Sequence, residues 1–375
     1  MAATSHDACS PRRALGTRSS VFTRTPLLAL TFVLALLASG CTHSDGPKAV
    51  TTTASAASGG AASHPPAASA LGSAYVSVIR KVLPSVVLIR AEHDLGSGVI
   101  FDDKGDIVTN YHVVGDAKRF EVSIYGSAET RTATLVGSYP ADDLAVIKVD
   151  DAAALHPATF GDSSKVSVGE IVLAMGNPLG LASSVTNGIV SAVGRTVTEP
   201  ASGQSPGATL PDTLQTSAAI NPGNSGGALV DLSGEVVGIP TLAAVDQQLG
   251  GAAPGIGFAI SSNIVTDVAS QIIQHGKVVV SHRAALGVTV SSVFDGKGNP
   301  AGVGIVSVQA NSGAADAGLA KGEVILSVNG APTPDAQTLS ALLANLEPGQ
   351  TVAVKVGKDN GDVTTVNVRL GSLPG

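Results

Sequence analysis

The sequence predicts a mainly β protein made of two successive units, and three observations carry that prediction. Glycine accounts for 44 of the 375 residues, well above the ~7% of average chains, so turns must be frequent. Charged residues make up only 14%, far below the ~25% typical of soluble domains, which excludes a coiled coil. From Ala74 onward, short Val/Ile/Leu runs alternate with turn residues, the pattern of a barrel or sandwich. In chain order these runs are Val86 to Ile89, Gly98 to Phe101, Ile107 to Thr109, Leu144 to Val149, Glu170 to Met175, Glu235 to Ile239 and Gly257 to Ile260. Asp102-Asp103-Lys104-Gly105-Asp106 separates two of them and reads as a hairpin, with Gly105 free to take positive φ. Ile264, Val265, Val268, Ile272 and Ile273 then recur at helical period and stop at Gly276, which predicts a helix closing the first unit.

The second unit begins near Ala285 and mixes α and β. Strands are expected at Gly304 to Val308, Val324 to Val328 and Val352 to Val356. Thr333-Pro334 offers an N-cap followed by Pro at the first helical position, and Leu339, Leu342, Leu343 and Leu346 then fall on one face.

The N-terminus has a different character. Arg12, Arg13, Arg18 and Arg24 precede a twelve-residue run from Leu27 to Ala38, apolar but for Thr31. A helix of that length covers about 18 Å, too short for a ~30 Å hydrocarbon core, so the layout is that of a signal peptide. Ala38-Ser39-Gly40-Cys41 ends it. Small residues leading to a Cys resemble the lipobox of bacterial lipoproteins, which implies a lipid anchor on Cys41; Ala38 stands where that pattern prefers Leu. The competing reading is a plain secretion signal with a chance Cys. Thr42 to about Gly72 is Ala, Ser, Thr, Gly and Pro with almost no large apolar residue, and reads as a flexible tether.

Charge narrows the function classes. Loss of residues 1–40 would remove four Arg and Asp7 and take the net charge from -7 to -10. An acidic chain is a poor match for phosphate backbones, so nucleic acid is excluded as a partner. Cys9 would leave with the signal, and Cys41 alone cannot form an internal disulfide, so stability must come from packing. No nucleotide-binding fingerprint, zinc-ligand cluster or other cofactor or metal motif is read anywhere.

The chemistry concentrates at Asn221-Pro222-Gly223-Asn224-Ser225-Gly226-Gly227. A serine hydroxyl needs a base to take its proton and N–H groups to hold the oxyanion. Gly223 allows consecutive amides to converge, so the amides of Gly223 and Ser225 are candidates for the oxyanion hole. His112 follows a strand-like run in Thr109-Asn110-Tyr111-His112-Val113-Val114 and is the candidate base. Asp142 and Asp143 stand at the mouth of the next buried run. Adjacent extended residues face opposite ways, so only one of them can orient the imidazole. The order His, Asp, Ser is that of the two-barrel serine proteases, not of α/β-hydrolases or subtilisins.

Thr109 to Val114, Asp143-Leu144-Ala145-Val146-Ile147-Lys148 and Asn221 to Leu229 closely resemble the sequence blocks of the HtrA (DegP-like) proteases, over residues 75 to 372. The resemblance implies a chymotrypsin-like double β-barrel followed by a smaller α/β PDZ domain. It selects Asp143 over Asp142 as the catalytic carboxylate. It divides the chain into a signal peptide (1–40), a disordered tether (41–72), a trypsin-like protease domain (73–278), a linker (279–284) and a PDZ domain (285–375). Ala219 and Ile220 resemble positions lining a small apolar specificity pocket, which implies cleavage after Val, Ala or similar residues. Gly257 and Phe258 lie in a segment, Gly255 to Ile260, that looks like the strand pairing with substrate backbone. Leu286-Gly287-Val288 resembles a PDZ carboxylate-binding loop. Ser217 stands where relatives usually have Asp, and Ala228 where they have Pro.

The expected function is therefore a serine endopeptidase of the cell envelope acting on unfolded or damaged polypeptides, with PDZ recognition of peptide C-termini. The rival readings are a catalytically silent chaperone or peptide-binding scaffold and an esterase using the same triad. Relatives assemble as trimers or larger cages; the tether carries no aromatic-rich trimerisation segment, so a homotrimer is one option among several. Ala243 to Ala253 resembles an activation loop that orders and disorders.

Overall fold

The structure is a computed structural model that describes residues 66–375, apart from 92–93, 128, 178–183, 200–206, 222, 247–250 and 359. The signal segment, Cys41 and the tether up to residue 65 lie outside the described residues. The described chain opens with helix α1 (Pro66–Val82), so residues 66–72, read from composition as tether, are helical. Small residues permit that turn of helix, and Tyr75, Val78, Ile79 and Val82 at i, i+3, i+4 and i+7 give it one face that packs into the core.

Six strands follow: β1 (Val86–Arg90), β2 (Leu95–Ile100), β3 (Asp106–Asn110), β4 (Arg119–Ile124), β5 (Thr130–Tyr139) and β6 (Leu144–Val149). They close into a barrel in the order β1-β2-β3-β6-β5-β4. The single turn α2 (Tyr111–Val114) leaves β3. The hairpin between β2 and β3 forms as its sequence predicts: Gly105 has φ 94°, and Asp102 Oδ1 accepts from the amides of Lys104 and Asp106.

A second closed barrel, ordered β10-β11-β12-β9-β8-β7, uses β7 (Ile171–Gly176), β8 (Ser184–Glu199), β9 (Ala208–Thr216), β10 (Ala228–Val230), β11 (Val236–Asp246) and β12 (Gly251–Ser261). Helix α3 (Ser262–His275) then packs Val265, Val268 and Ile272 inward. It ends at Gly276, whose φ of 70° carries the left-handed cap. The continuous apolar runs of the sequence were all found as strands. Strands β4, β5, β8 and β9 have no such run: β4 alternates exposed and buried positions and β8 is half-exposed along most of its length.

The apolar core explains where a site can form. Val87, Ile89, Ile107 and Ile147 fill the first barrel, and Val172, Val190, Leu214 and Leu229 fill the second. A third cluster joins α1, α3 and facing strands of both barrels through Val82, Val86, Leu144, Leu173, Met175 and Ile272. Burial of each such side chain is worth about 1.5–3 kcal/mol, so the two barrels are held together by their largest shared surface, and the chain ends above it are fixed relative to each other.

The second unit contains β13 (Ala284–Ala285), β14 (Val288–Phe294), β15 (Pro300–Val308), the short helix α4 (Gly313–Asp316), β16 (Val324–Val328), β17 (Ala331–Pro332), helix α5 (Ala336–Leu343), β18 (Thr351–Gly357), β19 (Val363–Arg369) and β20 (Gly371–Ser372). Its main sheet runs β14-β15-β16-β18-β19, and β20 returns to pair with β13. The helix start differs from expectation by two residues. Asp335 is the N-cap of α5 and accepts from the Thr338 amide at 2.7 Å, while Thr333 is buried and donates its hydroxyl to Ile325 O. An aspartate is as good a cap as threonine, and the Thr333 amide is already taken by Leu326 O. The mainly β double barrel followed by a smaller α/β unit is thus the architecture that the sequence implied.

Candidate active site

The register of β3 against β6 pairs Asn110 with Leu144, which brings the chain just after β3 next to the chain just before β6. His112 lies in the first segment and Asp143 in the second. Asp143 takes a left-handed conformation, φ 50° and ψ 41°, which Asp tolerates better than most residues. This turn, not an extended strand start, separates the two adjacent carboxylates: Asp143 faces His112, and Asp142 faces away to Arg283. The carbonyl of Asp143 accepts from the amide of Tyr111 and from Asn110 Nδ2, each at 3.0 Å, and its Oδ1 accepts from the His112 amide at 2.9 Å. The imidazole Nδ1 and Asp143 Oδ2 are 2.9 Å apart. The Thr241 hydroxyl donates to the same Oδ2 at 2.6 Å. Asp143 is 1% exposed, so this carboxylate is buried yet receives three donors, the condition under which a buried charge is tolerable.

His112 titrates above its ordinary value. Burial alone would lower it, but the hydrogen bond and charge of Asp143 outweigh burial, and Glu199 and Asp94 add to the upward push. An imidazole held with Nδ1–H toward a carboxylate leaves Nε2 as the basic nitrogen.

Ser225 arrives from the second barrel, in the loop between β9 and β10. Several bonds staple this loop to the first barrel: the Ser97 amide donates to Ser225 O at 2.9 Å, and the Ser97 hydroxyl donates to Gly223 O at 2.6 Å. Gly226 has φ 78°, and a Cβ there would lie 2.2 Å from Ser97 O and 2.4 Å from Thr109 Oγ1, so only glycine permits the close approach of the barrels. Gly223 has φ 101°. Among the described residues, neither the Gly223 amide nor the Ser225 amide donates to a protein acceptor, as donors reserved for a ligand would be. The Ser225 hydroxyl donates to the Thr241 carbonyl oxygen at 3.1 Å and not to the imidazole.

Ala219 and Ile220, the expected specificity positions, differ in exposure. Ile220 is buried and packs directly against Gly257, where an added Cβ would lie 2.4 Å from its Cγ1; Ala219 is exposed, and its carbonyl accepts from Asn224 Nδ2. Ser217, standing in place of Asp, donates its amide to Ile189 O and accepts from the Ile189 amide. The expectation that Gly257 and Phe258 offer a free strand edge is overturned. Strand β12 is hydrogen-bonded on both sides, Gly257 to Ala243 and Thr216 and Phe258 to Leu242 and Gln215. An added strand needs unpaired N–H and C=O groups. Among the described strands, none pairs with the second edge of β11 beyond Gly238; Pro240 O there accepts from the Gly226 amide and Thr241 O from the Ser225 hydroxyl, so the edge open to a peptide lies beyond Pro240. Of the segment Ala243 to Ala253, the described part extends the β11–β12 hairpin, with Asp246 opposite Gly251.

In the second unit, Leu286, Gly287 and Val288 line a groove of about 550 Å³ whose opposite wall includes Leu339 and Leu343. Leu286 is buried and Gly287 has φ 82°. Leu342 does not line that groove.

Four contributors escaped the sequence. Ser97 and Thr241 carry no motif, and only their position after folding gives them a role. Asp142, passed over in favour of Asp143, is buried and pairs with Arg283 at 2.8 Å; burial pushes it up to about 6 against the opposing charge of Arg283. Glu199, at the end of β8, places Oε1 3.9 Å from His112 Nδ1. His112, Asp143 and Glu199 present possible ligand atoms within 4.8 Å of one another, the one such cluster among the described residues. Nδ1, which a metal ion would need, is engaged with Asp143. No described helix is long and apolar enough to cross a membrane.

Two six-stranded barrels with a His–Asp pair on one and a glycine-flanked Ser on the other define the trypsin-like class of serine proteases. The chain matches the trypsin-like peptidase domain over residues 96–239 and the PDZ domain over residues 284–370. It is 38% identical over 323 residues to the serine protease PepD of Mycobacterium tuberculosis, an alignment covering 81% of this chain and 68% of PepD. It is 40% identical over 285 residues to a protein of Rhizobium meliloti named "Probable periplasmic serine endoprotease DegP-like", covering 74% of this chain and 53% of that one; it thus spans about half the length of that relative. Among solved structures, the serine endoprotease from Yersinia pestis superposes with a TM-score of 0.54 at 35% identity, covering 80% of this chain and 98% of that chain. The HtrA-type protease AlgW with decapeptide gives 0.53 at 32%, covering 80% and 99%. The chain belongs to the HtrA (DegP-like) family of serine proteases.

Proposed function

We propose that this chain is a serine endopeptidase of the cell envelope that hydrolyses peptide bonds of unfolded or damaged proteins, with Ser225 as nucleophile, His112 as base and Asp143 as the orienting carboxylate. The observation that carries the reading is the 2.9 Å contact between His112 Nδ1 and a buried Asp143 that receives three donors. A side-chain rotation moves the Ser225 hydroxyl from the Thr241 carbonyl toward Nε2. Nε2 takes the hydroxyl proton as Oγ attacks the peptide carbonyl, and Asp143 stabilises the imidazolium that results. The amides of Gly223 and Ser225 hold the oxyanion. The imidazolium then gives its proton to the leaving amine, and water, deprotonated by His112, resolves the acyl-enzyme.

An extended polypeptide fits the unpaired edge of β11, and only an unfolded segment can add as a strand. Ala219 and Ile220, read as lining a small apolar pocket, favour Val, Ala or a similar residue before the scissile bond. The groove at Leu286, Gly287 and Val288 takes a peptide C-terminus, its carboxylate toward that loop. The periplasmic naming of relatives and the signal layout support an extracytoplasmic location. A lipid on Cys41 would hold the chain at the membrane, and the intact mass of membrane-extracted protein reads cleavage and lipidation together. A homotrimer is the family assembly to test by light scattering.

The decisive experiment replaces Ser225 by Ala and follows β-casein. The wild type should cleave it, and the variant should lose on the order of 10⁶-fold in rate, the scale of removing a triad serine. Equal turnover by both proteins removes the assignment, and peptide retention without any cleavage by the wild type would establish the silent scaffold instead.

A further inference from the structure

Glu199 is not part of the triad just described, yet it lies against it. Its Oε1 is 3.9 Å from His112 Nδ1, on the ring edge that also meets Asp143. Its side chain is only 15% exposed, and its Oε2 is buried with no hydrogen-bond partner among the described residues. A carboxylate that is merely structural is normally paired or solvated, because an unmet buried oxygen costs free energy. We propose that Glu199 is a positioning residue of the triad, a second carboxylate beside the imidazole that favours its charged form and so sets the pH at which His112 can act as a base. This rests on the reading of His112 as the general base.

The charges around Glu199 leave it free for that role. From the first barrel it faces His112 and Asp143, while Asp94 acts on the same imidazole. Glu92 and His93, next to Asp94, lie outside the described residues. Arg283, which lines the same cleft of about 350 Å³, is engaged by Asp142 and the Ala141 carbonyl. The PDZ side of the cleft contributes Ala336, Gln337, Ser340 and Leu373, none of them ionisable. Residues 200–206, which follow Glu199 in sequence, are Pro-Ala-Ser-Gly-Gln-Ser-Pro and carry no ionisable side chain. Among the described residues, no cation therefore competes with the imidazole for this carboxylate.

Burial, with the repulsion of Asp143 added, pushes Glu199 up to about 7 against the attraction of His112. Glu199 and His112 each favour the charged form of the other. Once ionised, Glu199 stabilises the imidazolium that forms as Ser225 attacks. An opposite charge at this range shifts a titration by about one unit or more when fully felt, and less when partly solvated.

The test compares Glu199→Gln with the full wild-type chain. Histidine ring NMR in the Ser225→Ala background, with and without Glu199→Gln, reads the His112 midpoint with no need of activity. That midpoint should fall by about half to one pH unit. In the active background, the acid limb of kcat/KM against pH should move down by the same amount and the plateau above pH 8 should fall about three- to tenfold in kcat with KM unchanged. Glu199→Asp should restore part of the acid limb. An unmoved His112 midpoint, or a loss equal at every pH, overturns the proposal. A wild type without Ser225-dependent cleavage would instead overturn the protease reading, and the NMR midpoint would still decide the role of Glu199 beside His112.

Discussion

Replacing Arg283 by Met strands the carboxyl group of Asp142, next in sequence to the proposed orienting carboxylate Asp143, and the cost should depend on pH in a calculable way. Arg283 Nη1 donates to Asp142 Oδ1 at 2.8 Å and to the Ala141 carbonyl at 2.6 Å, and the two side chains are 11% and 5% exposed. Asp142 stands at about 6, raised from 3.8 by burial and further by Asp267, and held from rising more by Arg283. A carboxyl raised on folding contributes stability that is present below its unfolded value and lost as pH rises through its folded value. At pH 4.5 Asp142 is protonated in both folded proteins, so Arg283→Met removes only hydrogen bonds and packing, about 1–2 kcal/mol. At pH 8 the wild type holds an ion pair, whereas the variant must bury a lone charge or keep its proton. If the variant carboxyl rises to 8 or beyond, two units at ~1.4 kcal/mol each add about 3 kcal/mol to the loss, within the range for breaking a buried pair. Urea unfolding at the two pH values reads this difference directly. In an Asp142→Asn background, Arg283→Met should cost the same at both pH values. A loss on Arg283→Met that is equal at pH 4.5 and pH 8 in the wild-type background, or one that still differs between the two in the Asp142→Asn background, refutes the reasoning.

Two further outcomes follow from single contacts. Thr241→Val keeps shape but withdraws the hydroxyl from Asp143 Oδ2; a hydrogen bond to a charged group is worth about 1.5–3 kcal/mol, so kcat/KM on a peptide substrate should fall about tenfold to 100-fold with little change in KM. Gly257→Ala puts a methyl 2.4 Å from Ile220 Cγ1 and must displace the Ile220 side chain; cleavage after Val should drop about tenfold relative to cleavage after Ala, read with paired peptide substrates. Unchanged kinetics in either variant would remove the corresponding residue from the site.

Legibility in the sequence followed burial. Continuous apolar runs such as Leu144 to Val149 could be read because both faces of the strand are covered. Strand β8 could not, because its sixteen residues are mostly half-exposed and include two glycines. The His, Asp and Ser of the site were readable because each sits in a local segment with its own constraint: a strand end, a turn and a glycine-rich loop. That Gly257 and Phe258 offer no free edge was not legible, because pairing on both sides of a strand is a property of its neighbours.

The amino-acid order alone determined two β units, the candidate triad and its glycine-lined oxyanion loop, since these depend on residue type and on spacing within a few positions. Folding decided the partners. Ser97 staples the nucleophile loop across the barrels, Thr241 and Glu199 reach the imidazole and its carboxylate, and Arg283 closes on Asp142 from 141 residues away. Such contacts come from strand register and barrel closure, which bring together side chains that no local pattern connects, and they exist only once the apolar surface between the barrels is buried.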